Sequence, residues 1–312
     1  MSESHGRKTG LLLLMAALLV GLTGPTPSFA GGRQETGQTT LRVFVSILPQ
    51  AYFVERIGAG RVKVEAMVAP GQSPHSYEPT PQQMARLAEA RAFFRIGVEF
   101  ENSLIPRIQS TMKDLEMVDC REGLRLRRME AHEHEEEEQE AEEHHDHVAT
   151  DPHVWLSVRN AIQIAGTMHR ALLRLDPQGK TVYDQGYQQL VKGLQALDQR
   201  LAGILAPVKG KPFFVFHPAF GYFADDYGVE QIAVEIGGVE PSARELSHLI
   251  SEARQKGVRV VFVQPQFSRK SAETIAAEIG GAVVPLDPLA RDYIENLERI
   301  ARAVQEGLKS NR

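Results

Sequence analysis

The chain is short of cysteine, of long hydrophobic runs and of compact metal or nucleophile motifs. Cys120 is the single cysteine among 312 residues, which excludes an internal disulfide and a cysteine-based zinc finger. Neither an H-E-x-x-H sequence nor a C-x-x-C pair occurs. What remains, 42% hydrophobic and 24% charged residues, excludes a disordered, collagen-like or coiled-coil chain.

The first thirty residues contain the one extended apolar run, and it is short. Leu11 to Leu22 supplies twelve residues, whereas a membrane-spanning helix needs about 20. Arg7 and Lys8 precede this run, and Ser28-Phe29-Ala30 follows it as a small-x-small pattern. These features predict a cleavable signal peptide over residues 1–30, with a buried N-terminal helix as the alternative. No cysteine follows the run, so we expect an exported protein without a lipid anchor.

The net charge of -5 is distributed unevenly. Ten of the 40 acidic residues lie between Glu130 and Asp146, a stretch without lysine or arginine. Outside this stretch and the predicted signal peptide, the remaining chain is slightly basic. The charge therefore belongs mainly to one segment, and we expect no nucleic-acid partner.

That acidic segment also carries histidines, and residues 130–147 have no apolar periodicity that would fold them. Like charges should keep the segment extended and mobile. Acids alone would indicate a solvated loop, whereas five histidines in eighteen residues favour metal capture. The candidates for a weak secondary metal site are His132, His134, His144, His145 and His147.

Short β-branched or aromatic runs alternate with amphipathic stretches, which predicts parallel sheets wrapped by helices. The alternation occurs twice, so we predict two α/β lobes, each with a four-stranded parallel sheet. The predicted strands are 41–47, 62–68, 92–97, 116–119, 213–217, 231–235, 259–263 and 282–285. The predicted domains are an N-terminal lobe over 31–175, a linker helix over 176–207 and a C-terminal lobe over 208–312.

The linker helix is predicted from one apolar stripe with alternating spacings of four and three residues. Asp176-Pro177 predicts its start and Pro207 its end. Residues 178–206 would span roughly 43 Å, enough to contact both lobes and to connect them stiffly. The stripe consists of Tyr183, Tyr187, Leu190, Leu194, Leu197, Leu201 and Ile204.

Four candidate metal ligands follow or flank predicted strands, where open α/β sheets bind ligands. His75 lies after the second strand, His217 ends the fifth, and Asp287 ends the last. His153 lies just before a predicted helix. Each residue also has an ordinary structural explanation, such as a helix cap or a core histidine. His169 and His248 fall inside amphipathic helices, and we interpret both as packing or surface residues.

Four ordered segments resemble the metal-binding segments of the periplasmic zinc-binding component of bacterial ABC zinc importers (ZnuA-like proteins). The resemblance covers essentially the whole chain after residue 30. It implies two α/β lobes joined by a long helix, with the metal in the cleft between them. It also implies an ABC permease in the inner membrane as partner and a periplasmic location. The segments are Pro74–Thr80, Asp151–Trp155, Phe216–Phe223 and Leu286–Leu289.

The resemblance assigns His75 and His153 of the first lobe, and His217 and Asp287 of the second, as metal ligands. Imidazole suits Zn²⁺, and manganese-selective relatives have a carboxylate in place of the third histidine, so His217 favours zinc. Water is the alternative to Asp287 as fourth ligand. Glu78 is either a carboxylate that orients a ligand histidine or a helix-start carboxylate.

We therefore predict a monomeric zinc-binding protein without catalytic activity. The alternatives are a manganese or iron importer component, a secreted zinc hydrolase and an adhesin-like surface protein. A hydrolase would use three histidines and water, but it also needs a general base and a substrate pocket. Glu78 is the only candidate base that the sequence offers.

Overall fold

Eight short strands form two separate parallel sheets in the computed structural model, which describes residues 40–129, 150–235 and 241–309. The first sheet has the order β2-β1-β3-β4 and the second the order β6-β5-β7-β8. The predicted fold is confirmed. The strands are β1 Leu41–Val45, β2 Val62–Ala66, β3 Ala92–Arg95, β4 Glu116–Asp119, β5 Pro212–Val215, β6 Glu230–Ala233, β7 Val260–Val263 and β8 Ala282–Pro285.

Helices alternate with the strands as the sequence predicts. The helix that starts at Pro81 is capped by Thr80, whose hydroxyl accepts a hydrogen bond from the Gln83 amide. The helices are α1 Leu48–Gly58, α2 Pro81–Ala88, α3 Phe100–Thr111, α4 Val158–Leu175, α5 Lys180–Leu205, α6 Gly221–Tyr227, α7 Ala243–Gln255, α8 Lys270–Glu278 and α9 Tyr293–Lys309. None of the helices within the described residues combines the length and the hydrophobicity of a membrane-spanning segment.

Five of the strands end about two residues earlier than predicted, and side chains bond to the backbone just beyond β3 and β5. After β3, the amides of Ile96 and Gly97 donate to the buried carboxylate of Glu101. After β5, the side-chain amide of Gln264 both accepts from the backbone N–H of His217 and donates to its carbonyl. The chain is thereby held firmly just beyond the strand ends, where the candidate ligands lie.

Helix α5 connects the two lobes. It is 26 residues long and has a 3-10 turn at each end, and the predicted apolar stripe is buried along it except at Tyr187, which is half-buried. At the last position, Leu205 is fully buried in place of the predicted Ile204. The helix packs against α1 and α4 on one side and α9 on the other. One hydrophobic core therefore runs through both lobes, and a smaller second core covers the other face of the second sheet.

Residues of the two lobes also bond directly to each other. The indole N–H of Trp155 donates to the carbonyl of Pro288 at 2.9 Å, and the hydroxyl of Tyr293 donates to the carbonyl of Trp155 at 2.6 Å. The C-terminal helix thus packs back onto the first lobe. The domain boundaries stay a prediction, and the predicted signal peptide and the acidic segment lie outside the described residues.

Candidate metal centre

Three histidine side chains from distant parts of the chain meet between the two lobes. Nε2 of His217 lies 2.9 Å from Nε2 of His75 and 3.2 Å from Nε2 of His153. Groups of three or more His, Cys, Asp or Glu side chains can hold a metal ion when their ligand atoms all lie within 4.8 Å of one another. Among the described residues, these three histidines form the one such group. The structure therefore brings together three of the four residues that the sequence predicts as ligands.

Local structure fixes the position of each of these histidines. His75 lies in the loop between β2 and α2, and its backbone amide donates to the hydroxyl of Ser73. His153 directly precedes the 3-10 turn Val154–Leu156, and its amide donates to the carboxylate of Asp151. His217 follows β5, where the second sheet reverses its strand order. Two elements of one lobe and one strand end of the other thus build the group.

A carboxylate contacts the Nδ1 atom of each histidine. Asp151 lies 2.8 Å from Nδ1 of His153, Glu235 lies 2.8 Å from Nδ1 of His217, and Glu99 is paired with Nδ1 of His75. An Nδ1–H donated to a carboxylate fixes the tautomer and leaves the Nε2 lone pair free for a metal. All three Nε2 atoms face the same point, as metal ligands require.

Glu78 does not contact His75, so its predicted role in orienting that ring stays a prediction that the structure does not support. Glu78 is exposed and makes no hydrogen bond to His75, whereas Glu99 contacts that ring. The loop leaves Glu78 exposed, whereas Glu99, four residues after the end of β3, lies beside the ring. Glu99 and Glu235 follow β3 and β6, so the rule that identified His217 at a strand end would also have found them.

Asp287 is not brought into the histidine group. Its Oδ1 atom accepts hydrogen bonds from the backbone amide of Leu289 at 2.9 Å and from the side-chain amide of Gln266 at 3.0 Å. The carboxylate thus serves as the acceptor for a turn after β8. Direct ligation by Asp287 stays a prediction that this arrangement does not support.

Burial sets the charge state of His217. His153 and His217 are only 3% and 4% exposed, and His75 is half-buried. Burial lowers the pKa of His217 from 6.5 to about 4, although the hydrogen bond to Glu235 acts in the opposite direction. His217 is therefore neutral at pH 7, so a metal ion does not have to displace a proton from it.

Aromatic side chains enclose the group. The ring of Phe267 stacks on His217 at 4.6 Å between centroids, and Trp155 lies 5.3 Å from the ring of His153. Trp155 thus forms part of the cleft wall. The remaining lining residues include Gln266, Pro288 and Leu289.

The two other described histidines lie elsewhere, in agreement with their predicted packing and surface roles. His169 stacks on Tyr187 at 4.5 Å and lies 2.8 Å from the carboxylate of Asp184, so it connects α4 to α5. His248 is exposed on α7. The five histidines between His132 and His147 lie outside the described residues.

The geometry suits a tetrahedral metal ion. Zinc–nitrogen bonds of about 2.0–2.1 Å place two ligand nitrogens roughly 3.3–3.4 Å apart. The distances of 2.9 and 3.2 Å are a few tenths of an ångström shorter, so slight separation of the rings would admit an ion. Two lobes on a shared helix, with three imidazoles converging between them, define a metal-binding protein of the two-lobed, solute-binding class.

Comparison with known proteins identifies the family. The family model "Zinc-uptake complex component A periplasmic" matches residues 43–307, and the chain belongs to this family. A curated relative, the high-affinity zinc uptake system protein ZnuA of Bacillus subtilis, is 32% identical over 90% of this chain and 88% of its own length.

Solved structures agree with this assignment. A crystal structure of ZnuA has a TM-score of 0.79 and 37% identity over 86% of this chain and 99% of that one. A structure described as a zinc-bound 138–173 deletion mutant of ZnuA has a TM-score of 0.77 and 37% identity over 86% of this chain and 98% of that one. The two-lobed fold and the family resemblance predicted from sequence are confirmed.

Proposed function

We propose that this chain captures Zn²⁺ at the Nε2 atoms of His75, His153 and His217 and passes it to an ABC permease of the inner membrane. The protein acts by binding and has no catalytic role. The observation that carries this proposal is the convergence of three Nε2 atoms from both lobes. The proposed location is the periplasm, reached through the signal peptide at residues 1–30.

The donor set favours zinc over manganese. Neutral imidazole is a good ligand for Zn²⁺, whereas Mn²⁺ prefers carboxylate and carbonyl oxygens. The three carboxylates contact the far nitrogens of the rings and do not enter the ligand set. Their negative charge still lies close enough to stabilise a divalent cation in a poorly hydrated site.

Competitive titration of the full exported chain with Zn²⁺ and Mn²⁺ tests the site and the metal. We expect His75→Ala, His153→Ala and His217→Ala each to weaken zinc binding by more than the 10–100-fold typical of outer partners. His248→Ala is the matched control, because His248 is exposed on α7, and its affinity should be unchanged. Unaltered zinc affinity in the three variants would overturn the site, and tighter binding of Mn²⁺ would overturn the choice of metal.

A hydrolase would also bind zinc through three histidines, so the proposal needs a separate test of catalysis. The zinc-loaded protein should not turn over peptide, ester or phosphodiester substrates above the rate of free Zn²⁺. Turnover that disappears in His217→Ala and persists in His248→Ala would identify an enzyme instead.

Delivery to a permease is tested in cells that lack the chromosomal copy of this protein. Growth under zinc chelation should return with the wild-type chain and with His248→Ala, and should not return with His217→Ala. Growth restored by His217→Ala would contradict the role of the site in delivery.

Light scattering should give a monomer, since binding needs residues from one chain only.

The acidic histidine segment is proposed as a weak secondary site that collects Zn²⁺ near the cleft. The support is compositional, with five histidines and ten acids between Glu130 and His147. Arg128, which precedes the segment, and Thr150, which follows it, form an antiparallel bridge. Thr150 lies three residues before His153, so both ends of the segment are attached close to the site.

A further inference from the structure

Gln266 has one buried polar atom that the fold leaves without a partner. Among the described residues, Gln266 Oε1 is the only buried side-chain nitrogen or oxygen that makes no hydrogen bond. Gln266 lies in the loop after β7 and lines the same cleft as His75, His153 and His217. An unpaired acceptor out of contact with water is unfavourable, so this atom calls for a physical explanation.

The orientation of the Gln266 amide is fixed by Asp287. The Nε2 atom of Gln266 donates to Oδ1 of Asp287 at 3.0 Å, and an ionised carboxylate can only accept. Rotating the amide by 180° would place two acceptors against each other, so Oε1 must occupy the other side. Asp287 is itself held in place, because its Oδ1 accepts from the Leu289 amide and its carbonyl accepts from the side chain of Asn296.

Zinc held by three imidazoles keeps a fourth coordination position, which water fills. A zinc-bound water has hydrogens to donate and needs acceptors for them. The three carboxylates that contact the imidazoles lie at Nδ1, whereas the metal is expected at Nε2 of each ring. Gln266 Oε1 is the acceptor that lines the cleft without another partner among the described residues.

We propose that Gln266 is a positioning residue whose Oε1 accepts a hydrogen bond from the water that completes the coordination of the captured zinc. Asp287 acts through Gln266: it orients the amide and does not ligate the metal. This inference rests on the proposed three-histidine site. It also explains why a carboxylate after β8 is found beside the site without entering it.

The test uses Gln266→Met, which keeps the length of the side chain and removes the amide oxygen. Zinc affinity should fall roughly tenfold, as for other outer partners of a metal site. When Gln266→Met is loaded with Co²⁺, the ion should keep the visible absorption that it has when three imidazoles bind it. Circular dichroism and the melting temperature of the metal-free variant establish that it is folded.

Azide binding to the Co²⁺ protein separates this role from a merely structural one. Azide replaces the water but has no hydrogen to donate to Gln266 Oε1, so the wild-type site favours water. Without the acceptor, water loses that advantage, and azide should bind roughly three- to tenfold more tightly in Gln266→Met. Asp287→Asn, which no longer enforces the amide orientation, should change azide affinity in the same direction by a smaller factor.

Three results would overturn the inference. Azide affinity equal to wild type in Gln266→Met would show that Gln266 does not contact the water. Zinc affinity unchanged in Gln266→Met would show that Gln266 does not contribute to holding the metal. A cobalt spectrum altered by Asp287→Asn and unaltered by Gln266→Met would make Asp287 the fourth ligand. In each case the loss of zinc binding in the histidine variants would still support the three-histidine site.

Discussion

Two glycines of helix α5 provide a matched pair that tests how closely this helix packs on the first lobe. A Cβ atom at Gly186 would lie 2.4 Å from the carbonyl oxygen of Arg56 and 2.5 Å from that of Ile57, both in the last turn of α1. A Cβ atom at Gly203 would meet nothing within 4 Å. Both positions lie inside the same helix, so alanine should affect helix propensity equally at each.

The expected free energies follow from these distances. Replacing glycine with alanine inside a helix stabilises it by about 0.8–1.0 kcal/mol, which Gly203→Ala should show in full. At Gly186 the obstructing atoms are backbone carbonyls, so α1 and α5 must separate by roughly 1 Å. Overpacking of this kind costs about 1–3 kcal/mol. Gly186→Ala should therefore be less stable than Gly203→Ala by about 1–3 kcal/mol.

Urea denaturation of the metal-free variants, followed by circular dichroism, measures this difference. In thermal unfolding it corresponds to a difference of about 2–10 °C between the two melting temperatures. Because the propensity term is common to both variants, the difference isolates the contact with α1. Equal stabilities, or a Gly186→Ala variant more stable than wild type, would refute the close approach of the two helices.

Three further predictions concern the metal site and the acidic segment. Glu235→Gln removes the charge that orients His217 and should weaken zinc binding by about 10–100-fold. Glu230→Gln, a control at an exposed residue, should leave zinc binding unchanged. Equal zinc affinities of the two variants in a competitive titration would contradict the role of Glu235. Since the pKa of His217 is lowered to about 4, the unfolded chain binds more protons than the native one between about pH 4 and 6.5. The stability of the metal-free protein should thus rise with pH across this window more steeply than that of His217→Asn, and parallel urea-midpoint profiles would argue against it. Deletion of residues 130–147 should leave one tight zinc equivalent and abolish the weaker ones in calorimetry; unchanged stoichiometry would exclude the secondary site.

The sequence predicted the architecture well because the relevant signals are local. Apolar runs of four or five residues define the strands, and the stripe from Tyr183 to Leu201 defines α5. His217 was predicted at the end of a strand because parallel strands bring their carboxyl ends to one edge. These inferences need residue order and periodicity only.

The partners of the histidines could not be predicted in the same way. Glu78 lies three residues from His75 and turns away from it, while Glu99, twenty-four residues along the chain, contacts the ring. Asp287 has the right chemistry for a ligand but is directed to Leu289 and Gln266. Loop direction and side-chain rotamer decide these contacts, and neither can be read from spacing.

The length of α5 has a mechanical consequence for release of the ion. At 1.5 Å per residue the helix extends about 39 Å, so a side chain about halfway along lies roughly 20 Å from either end. At that radius a rotation of about 3° displaces an atom by roughly 1 Å, about half the length of a zinc–nitrogen bond. A rotation of a few degrees is therefore large on the scale of a metal–nitrogen bond. A permease that tilted one lobe by only a few degrees would lower the affinity of the site for zinc.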